Sequence, residues 1–373
     1  MSKSSDKPVV VYGASGYTGR LVCEFLRQYS IPFVAAGRDA ARVQEVMNKV
    51  PGIETADYEV IAVDNTVEDL SKLLKNAQVV CNIVGPFELF GEPVVEAALK
   101  TGTHYIDTTG EPAFVKLVKE KYGSQFKEAG LVCAPCTAYM YAPVEIAMRI
   151  AMEDGDVDAF ECVTAGGFVP TFASMQSIYS LFNTEAKYLK NNELLPWTPG
   201  KGYEVDVPGY AVNQLVHPWA GGNLPIVFES HPQIHTVRQY SGNTDRDLME
   251  GVIALQQQFE DEVRSLPEDE RVAALAKLVD DVEWFMPPRE MTLQHRSCDI
   301  AVGMGSSGGR KVVIQSTSPY TQTGMIQAAT AAKLLADGPL EAGFVTACET
   351  VGHRYLLGQL KSFFPVKVTV TDF

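Results

Sequence analysis

Between Val9 and Gly19 the chain reads Val-Val-Val-Tyr-Gly-Ala-Ser-Gly-Tyr-Thr-Gly, and few folds can carry that stretch. Four apolar or β-branched residues predict a short buried strand. Three glycines then recur at every third position, Gly13, Gly16 and Gly19, and an amphipathic run follows from Thr18 to Gln28 with Leu21, Phe25 and Leu26 on one face. A strand, a glycine turn and a helix in that order form a cradle for an anion. One glycine permits the tight turn, one lets backbone approach a pyrophosphate, and one lets the helix pack on the strand. The helix start adds unsatisfied N–H groups and the positive end of its dipole. The spacing is GxxGxxG rather than GxGxxG, but the physics is shared. Ser15, Tyr17 and Thr18 lie within reach to add side-chain or backbone contacts.

The pattern repeats. Strands are predicted at Pro8–Tyr12, Pro32–Ala36, Tyr58–Val63, Val79–Val84, Thr103–Ile106 and Leu131–Ala134. Helices are predicted at Asp39–Val50, Val67–Leu74, Pro93–Lys100 and around Phe114–Phe126. Such βα alternation builds a doubly wound parallel sheet that binds ligands at the carboxyl ends of its strands. The second strand ends Gly37-Arg38-Asp39. There Gly37 leaves room and Arg38 supplies a guanidinium for a ribose 2′-phosphate, so NADP(H) is preferred over NAD(H). Asp39 is read as the cap of the next helix. Asp64, ending the third strand, is a candidate for the adenine amino group. The fourth strand leads into Val84-Gly85-Pro86, expected to face the nicotinamide ribose.

Beyond residue 155 the repetition stops. Phe160–Ala165 and Val302–Ser316 read as strand, with a turn at Ser306–Arg310. Ser174–Lys190 reads as a helix, Leu195–Asn223 as a Pro/Gly/Trp-rich loop, and Asp245–Val263 and Glu268–Trp284 as amphipathic helices. Their expected buried stripes are Leu248, Val252, Leu255, Phe259 and Val263, then Val272, Leu275, Val279 and Val282. The fold class is therefore α/β: an N-terminal Rossmann doubly wound parallel sheet plus an α+β second domain with an open mixed sheet. The expected domains are a nucleotide-binding domain at 1–142, an α+β substrate or dimerisation domain at 143–340, and a segment at 341–373 returning to the first.

With 373 residues and a net charge of −15, the chain repels phosphate backbones and anionic membranes, which argues against nucleic-acid and membrane partners. Any phosphate on a ligand must be gripped locally. Seven cysteines, an odd number, do not resemble a disulfide framework; they and a polar N-terminus without an apolar core point to the cytoplasm. Cys133-Ala-Pro-Cys136 follows a strand of the nucleotide sheet and is read as inert thiols. Gly305-Ser-Ser-Gly-Gly309 is read as a turn, because strand and not helix follows it. His231 and His235 are separated by Pro232, and no metal site is expected.

Gly13-Ala-Ser-Gly-Tyr-Thr-Gly19, Val84-Gly-Pro-Phe87, Phe90-Gly-Glu-Pro93, Gly102-Thr-His-Tyr-Ile-Asp107-Thr-Thr-Gly-Glu-Pro112 and Gly343-Phe-Val-Thr-Ala347 together resemble the saccharopine dehydrogenase-like oxidoreductases. The resemblance is closest to their trans-acting enoyl reductase and saccharopine dehydrogenase-like oxidoreductase branches. It is dense over residues 8–112 and thinner to the end. It implies hydride transfer with NADPH at an imine or an activated alkene. Where related reductases carry a Gly-Phe-Asp-Ser-x-Pro-like segment, this chain has Cys136-Thr-Ala-Tyr-Met-Tyr-Ala-Pro143. Tyr139 and Tyr141 are the candidate proton donors there, against the alternative that both rings simply pack. Asp107 and Glu111 are candidates to orient the cofactor amide or cap a helix, and His104 is read as structural. Trp197, Tyr203, Tyr210, His217 and Trp219 are read either as an aromatic lid or as a surface loop pinned by buried rings.

The expected activity is NADPH-dependent reduction of a C=C, C=O or C=N bond in a small, largely apolar or aromatic metabolite, by a homodimer. The alternatives are an imine or saccharopine-type amino-acid dehydrogenase, which would need Arg238, Arg289 or Arg296 in its cleft, and a non-catalytic NADP-binding interaction protein.

Overall fold

The computed structural model describes residues 5–153, 156–218, 221–280 and 285–373, with backbone alone at 279 and 280. In chain order the elements are β1 (Val9–Tyr12), α1 (Tyr17–Gln28), β2 (Phe33–Gly37), α2 (Ala40–Met47), β3 (Tyr58–Ala62), α3 (Val67–Leu74), β4 (Val79–Asn82), α4 (Phe87–Phe90), α5 (Glu92–Thr101), β5 (His104–Asp107), α6 (Pro112–Glu128), β6 (Val132–Ala134) and α7 (Ala142–Met152). There follow β7 (Val157–Gly166), α8 (Phe172–Phe182), β8 (Lys187–Lys190), β9 (Glu193–Pro196), β10 (Tyr203–Val205), β11 (Gln214–Pro218), α9 (Leu224–Phe228), β12 (Thr236–Asn243), α10 (Arg246–Glu262) and α11 (Glu268–Asp280). The chain closes with β13 (Arg296–Gly305), β14 (Gly308–Thr317), α12 (Pro319–Asp337), β15 (Gly343–Phe344), α13 (Ala347–Val351), α14 (His353–Phe363) and β16 (Lys367–Asp372).

Two compact units result. The first comprises residues 1–109, 113–142 and 320–363. Its sheet is parallel throughout, in the order β15-β6-β5-β4-β1-β2-β3. Strands β1 and β4 are buried along their whole length, as expected where helices cover both faces. The chain leaves β1 for β2 on one side and reaches β4 on the other, so the carboxyl ends of β1 and β4 flank the point where strand order reverses.

The second unit comprises residues 110–112, 143–319 and 364–373. Its mixed sheet runs β10-β11-β12-β7-β13-β14-β16, with β8 pairing β12 and β9. Strand β12 is parallel to β7, and the other pairings are antiparallel. Helices α8, α10 and α11 meet over Tyr179, Phe182, Phe259 and Leu275.

Several expectations change here. The helix predicted over Ser174–Lys190 stops at Phe182, and Lys187–Lys190 is strand. Two causes act: Arg264 donates to the carbonyls of Phe182 and Asn183 that the ending helix leaves open, and Asn191 and Asn192 take positive φ angles of 51° and 64°, the conformation of a tight hairpin turn. The predicted loop over Leu195–Asn223 contains β9, β10 and β11. Val272 is 53 % exposed, so α11 turns Leu275 and Leu278 inward instead. Trp219, Val282, Trp284 and the side chain of Val279 lie outside the described residues.

The domain limits also shift. Helix α12, assigned above to the second domain, belongs to the first unit, because Gly324 lets it approach α1 closely: a Cβ there would lie 2.6 Å from that of Leu21. The final strand, β16, belongs to the second unit through its pairing with β14.

Candidate functional site

At the end of β1 the chain turns at Gly13, whose φ of +93° suits glycine. The amides of Gly13 and Ala14 both donate to Ala36 O of β2, at 2.9 and 3.1 Å, which fixes the turn against the neighbouring strand. A Cβ on Gly13 would lie 2.9 Å from Cγ2 of Val84, so this glycine also lets the β1 and β4 loops touch. Gly16 is the N-cap of α1 without a side-chain cap, and apart from the Gly13 oxygen at 3.3 Å the space where its Cβ would stand is open. The arrangement leaves a backbone cradle at the start of a 12-residue helix with the first-turn amides of Thr18 and Gly19 lacking intrahelical acceptors. It fits a pyrophosphate.

The flanking residues are distributed around this cradle. Ser15 Oγ stands 4.0 Å from the position a Gly37 Cβ would take, at the end of β2. Arg38 is exposed just beyond it, and Asp39 caps α2 by accepting from the amides of Ala41 and Arg42, as the sequence implied. Asp64 is exposed after β3. Tyr12, the last residue of β1, connects these positions. Its hydroxyl donates to Asn65 Oδ1, and burial raises its pKa to about 12, with the Arg38 charge pulling it down and the Asp64 charge pushing it up. Asn65 in turn donates to Phe90 O. The ring of Tyr17 packs edge-on against Tyr320, 5.3 Å between centroids, so its backbone is the part placed at the cradle.

The ends of β4, β5 and β6 are joined by a buried network whose members the sequence reading largely missed. Asn82 Oδ1 accepts from Val84 N at 3.1 Å, and its Nδ2 donates to Tyr105 Oη at 3.1 Å. Tyr105 Oη donates to Asp107 Oδ2 at 2.7 Å. Asp107 Oδ1 accepts from Thr109 N and Cys136 N. From α12, Gln327 Nε2 donates to the carbonyls of Asp107 and Thr137, both at 2.8 Å. Asn82, Tyr105, Asp107 and Gln327 have no exposed surface. Asn82 and Asp107 had a signal in the sequence, polar residues ending apolar strands, whereas Tyr105 inside β5 and Gln327 on α12 had none. Asp107 thus fastens loops, and Glu111 is a buried acceptor for Ser177 in the second unit. His104 accepts from Val132 N, and burial holds its pKa below 6.5. Tyr139 and Tyr141 are buried, and Tyr139 N donates to Thr323 Oγ1. All seven cysteines are buried thiols, and burial pushes Cys133 well above its usual range.

In the second unit the aromatic residues of the predicted loop pack. Trp197, Tyr203 and Tyr210 lie against the core of the mixed sheet, and Trp197 sits 5.3 Å from Tyr240. Of the two readings of that segment, pinning by buried rings is the one the packing supports. Arg238 is stacked over Tyr188 and Trp197.

A glycine cradle at the switch point of a parallel sheet, followed by a mixed-sheet unit, defines a Rossmann-type nucleotide-binding protein of two domains. Residues 9–134 match the Saccharopine dehydrogenase NADP binding domain, and residues 142–372 match the Family of unknown function (DUF5938). The chain belongs to that DUF5938 family, and its residues 9–134 carry the NADP-binding domain of the saccharopine dehydrogenase family. Among its relatives, a lipid droplet localized protein of Caenorhabditis elegans is 34% identical over 163 residues, 41% of this chain and 38% of that one. The human saccharopine dehydrogenase-like oxidoreductase is 32% identical over 152 residues, 37% of this chain and 35% of that one. A Mycobacterium tuberculosis protein provisionally named a trans-acting enoyl reductase is 30% identical over 185 residues, 46% of this chain and 44% of that one. The matched segment therefore spans less than half of each of these relatives. The structure of apo saccharopine dehydrogenase (L-Glu forming) from Saccharomyces cerevisiae superposes over 98% of this chain and 100% of its own, with a TM-score of 0.61 at 14% identity, which shows the shared fold. Among the described residues, no helix is long and apolar enough to cross a membrane.

Proposed function

We propose that this protein is an NADP(H)-dependent reductase acting on a C=C, C=O or C=N bond of a small, largely apolar or aromatic metabolite, in the manner of an enoyl reductase. The observation that carries the cofactor assignment is the exposed Arg38 at the end of β2, one strand from the glycine cradle. In this reading the backbone of Gly13 to Gly19, with Ser15 and Thr18, holds the pyrophosphate. Arg38 pairs with the 2′-phosphate beside Gly37, whose missing side chain makes way for Cγ2 of Val43, 2.9 Å from where a Cβ would stand, and Asp64 accepts from the adenine amino group. Val84, Gly85 and Pro86 lie along the nicotinamide ribose. Bound NADPH supplies the hydride. Tyr139 or Tyr141 supplies the proton, a role supported by their place in the loop after β6, on the carboxyl edge of the sheet. The enoyl-reductase form is supported by the name of the mycobacterial relative. A saccharopine-type substrate is disfavoured because Arg238, one of the few arginines named for its carboxylates, is stacked on Tyr188 and Trp197.

The test is a pair of titrations, NADPH and NADH, followed by nicotinamide fluorescence in the wild type and in Arg38→Ala. NADPH binds more tightly than NADH, and the substitution weakens NADPH alone by about 10- to 100-fold, the worth of charge-assisted hydrogen bonds. No binding of either nucleotide overturns the assignment. Binding with no turnover of enones, imines or quinones leaves the non-catalytic NADP-binding protein as the reading.

The same proposal includes a homodimer in the cytoplasm. The edge strand β16, with Val370 47 % exposed and Phe373 just past its end 62 % exposed, is a surface suited to a second copy, and seven buried thiols suit a reducing compartment. Light scattering and cell fractionation check the two points.

A further inference from the structure

We infer that Tyr105 is a positioning residue, whose hydroxyl ties the β4 loop at Val84 to the β6 loop that carries Tyr139 and Tyr141, so that the two loops form one rigid seat for the nicotinamide half of the cofactor. This rests on the NADP(H) reading above. The geometry is a continuous line of hydrogen bonds. Val84 N reaches Asn82, Asn82 reaches Tyr105, Tyr105 reaches Asp107, and Asp107 receives the amides of Thr109 and Cys136. Gln327 closes the far end by bridging the carbonyls of Asp107 and Thr137.

Three features distinguish this network from ordinary core satisfaction. First, strands β4, β5 and β6 are already aligned by their parallel ladders, whereas these bonds go to Val84, Thr109, Cys136 and Thr137, each just past a strand end. Second, Cys136 is held at a φ of +59°, a left-handed conformation that a residue with a Cβ adopts at a cost and keeps only when its surroundings fix it. The Asp107 carboxylate on Cys136 N and the Asp107 carbonyl on Thr137 N provide that fixing. Third, placing a carboxylate, a phenol and the Asn82 amide where no water reaches is costly unless each is hydrogen-bonded, as these three are, and apolar side chains would fill the same volume without that demand. Tyr105 sits at the centre because it accepts from Asn82 and donates to Asp107 with one hydroxyl. Burial and the adjacent Asp107 push its pKa well up, so the phenol keeps its proton and both bonds persist across the physiological range.

The experiment separates the two halves of the cofactor. Wild type and Tyr105→Phe are titrated calorimetrically with NADPH and with 2′,5′-ADP, which carries the adenosine and 2′-phosphate but no nicotinamide. The expected result is a loss of about tenfold in NADPH affinity, equivalent to one buried hydrogen bond, with the 2′,5′-ADP affinity unchanged. A parallel loss for both ligands overturns the inference and makes Tyr105 a general stability residue. Unchanged NADPH affinity overturns it as well. Gln327→Met, which breaks the clamp on the β6 loop from a different element, shows the same split between ligands and serves where Tyr105→Phe does not fold. Failure of the wild type to bind either ligand overturns the NADP(H) reading itself, and the inference falls with it.

Discussion

A Cβ atom on Gly19 would lie 2.2 Å from the carbonyl oxygen of Gly13 and 2.8 Å from Cα of Ala14, so the third glycine of the cradle is required by the packing of α1 on its own turn. Both contacts are to backbone, which has no rotamer to relieve them. Gly19→Ala is expected to destabilise the protein by about 3 kcal/mol, the upper end of overpacking costs, and to abolish nucleotide binding. Gly16→Ala, whose Cβ would meet only the Gly13 oxygen at 3.3 Å, is expected to lose far less stability than Gly19→Ala while weakening binding. Urea unfolding and NADPH titration of the two variants check the contrast.

Asp299 lies on β13 directly opposite Thr164 of β7 and has no exposed surface. Burial raises its pKa well above the ordinary 3.8. The sign follows from proton counting. Above pH 3.8 the unfolded chain releases this proton while the folded chain keeps it, so stability falls as pH rises toward the folded value. Asp299→Asn is expected to remove that slope and to be more stable than the wild type at pH 7 to 8. Denaturation midpoints measured from pH 5 to 8 decide it, and parallel curves for the two proteins would sink the assignment.

His104 gives the opposite dependence. Its imidazole accepts from Val132 N, and burial lowers its pKa below 6.5. As pH drops below 6.5 the unfolded chain takes up a proton that the folded chain resists, so stability is lost on the acid side. His104→Phe leaves the buried Val132 amide without its acceptor. It is expected to cost about 1–3 kcal/mol at pH 7.5 and to flatten the acid limb of the stability curve.

On α11 the face turned inward is set by Leu275, which is 9 % exposed beside Tyr179, Phe182 and Phe259. Leu275→Ala is expected to cost about 2–3 kcal/mol, whereas Val272→Ala falls within about 0.5 kcal/mol of the wild type. Equal losses in thermal unfolding would return Val272 to the core face.

Much of the first unit was legible because its signals are local. The strands of a parallel sheet covered on both sides are continuous apolar runs. Gly13 and Gly19 mark a turn that other residues cannot make, and Asp39 announced the cap it forms on α2. The second unit was harder. Nothing between Ser174 and Lys190 interrupts a helical pattern until Asn191 and Asn192, and the break at Phe182 is made by Arg264, more than 80 residues away. Strand β11 borders β12 in the mixed sheet, a pairing invisible in a Pro- and Gly-rich stretch.

By itself the sequence determined that a glycine cradle follows the first strand, that a parallel sheet carries it, and that Arg38 stands at the end of the second strand, because turn chemistry and strand periodicity act over a few residues. Tertiary structure alone decided that α12 joins the first unit through Gly324, that Trp197 and Tyr203 pack half-buried against the core of the mixed sheet, and that Asn82, Tyr105, Asp107 and Gln327 meet in one network. Those four residues are spread over 245 positions, and a hydrogen bond depends on where atoms lie in space, which no spacing along the chain encodes.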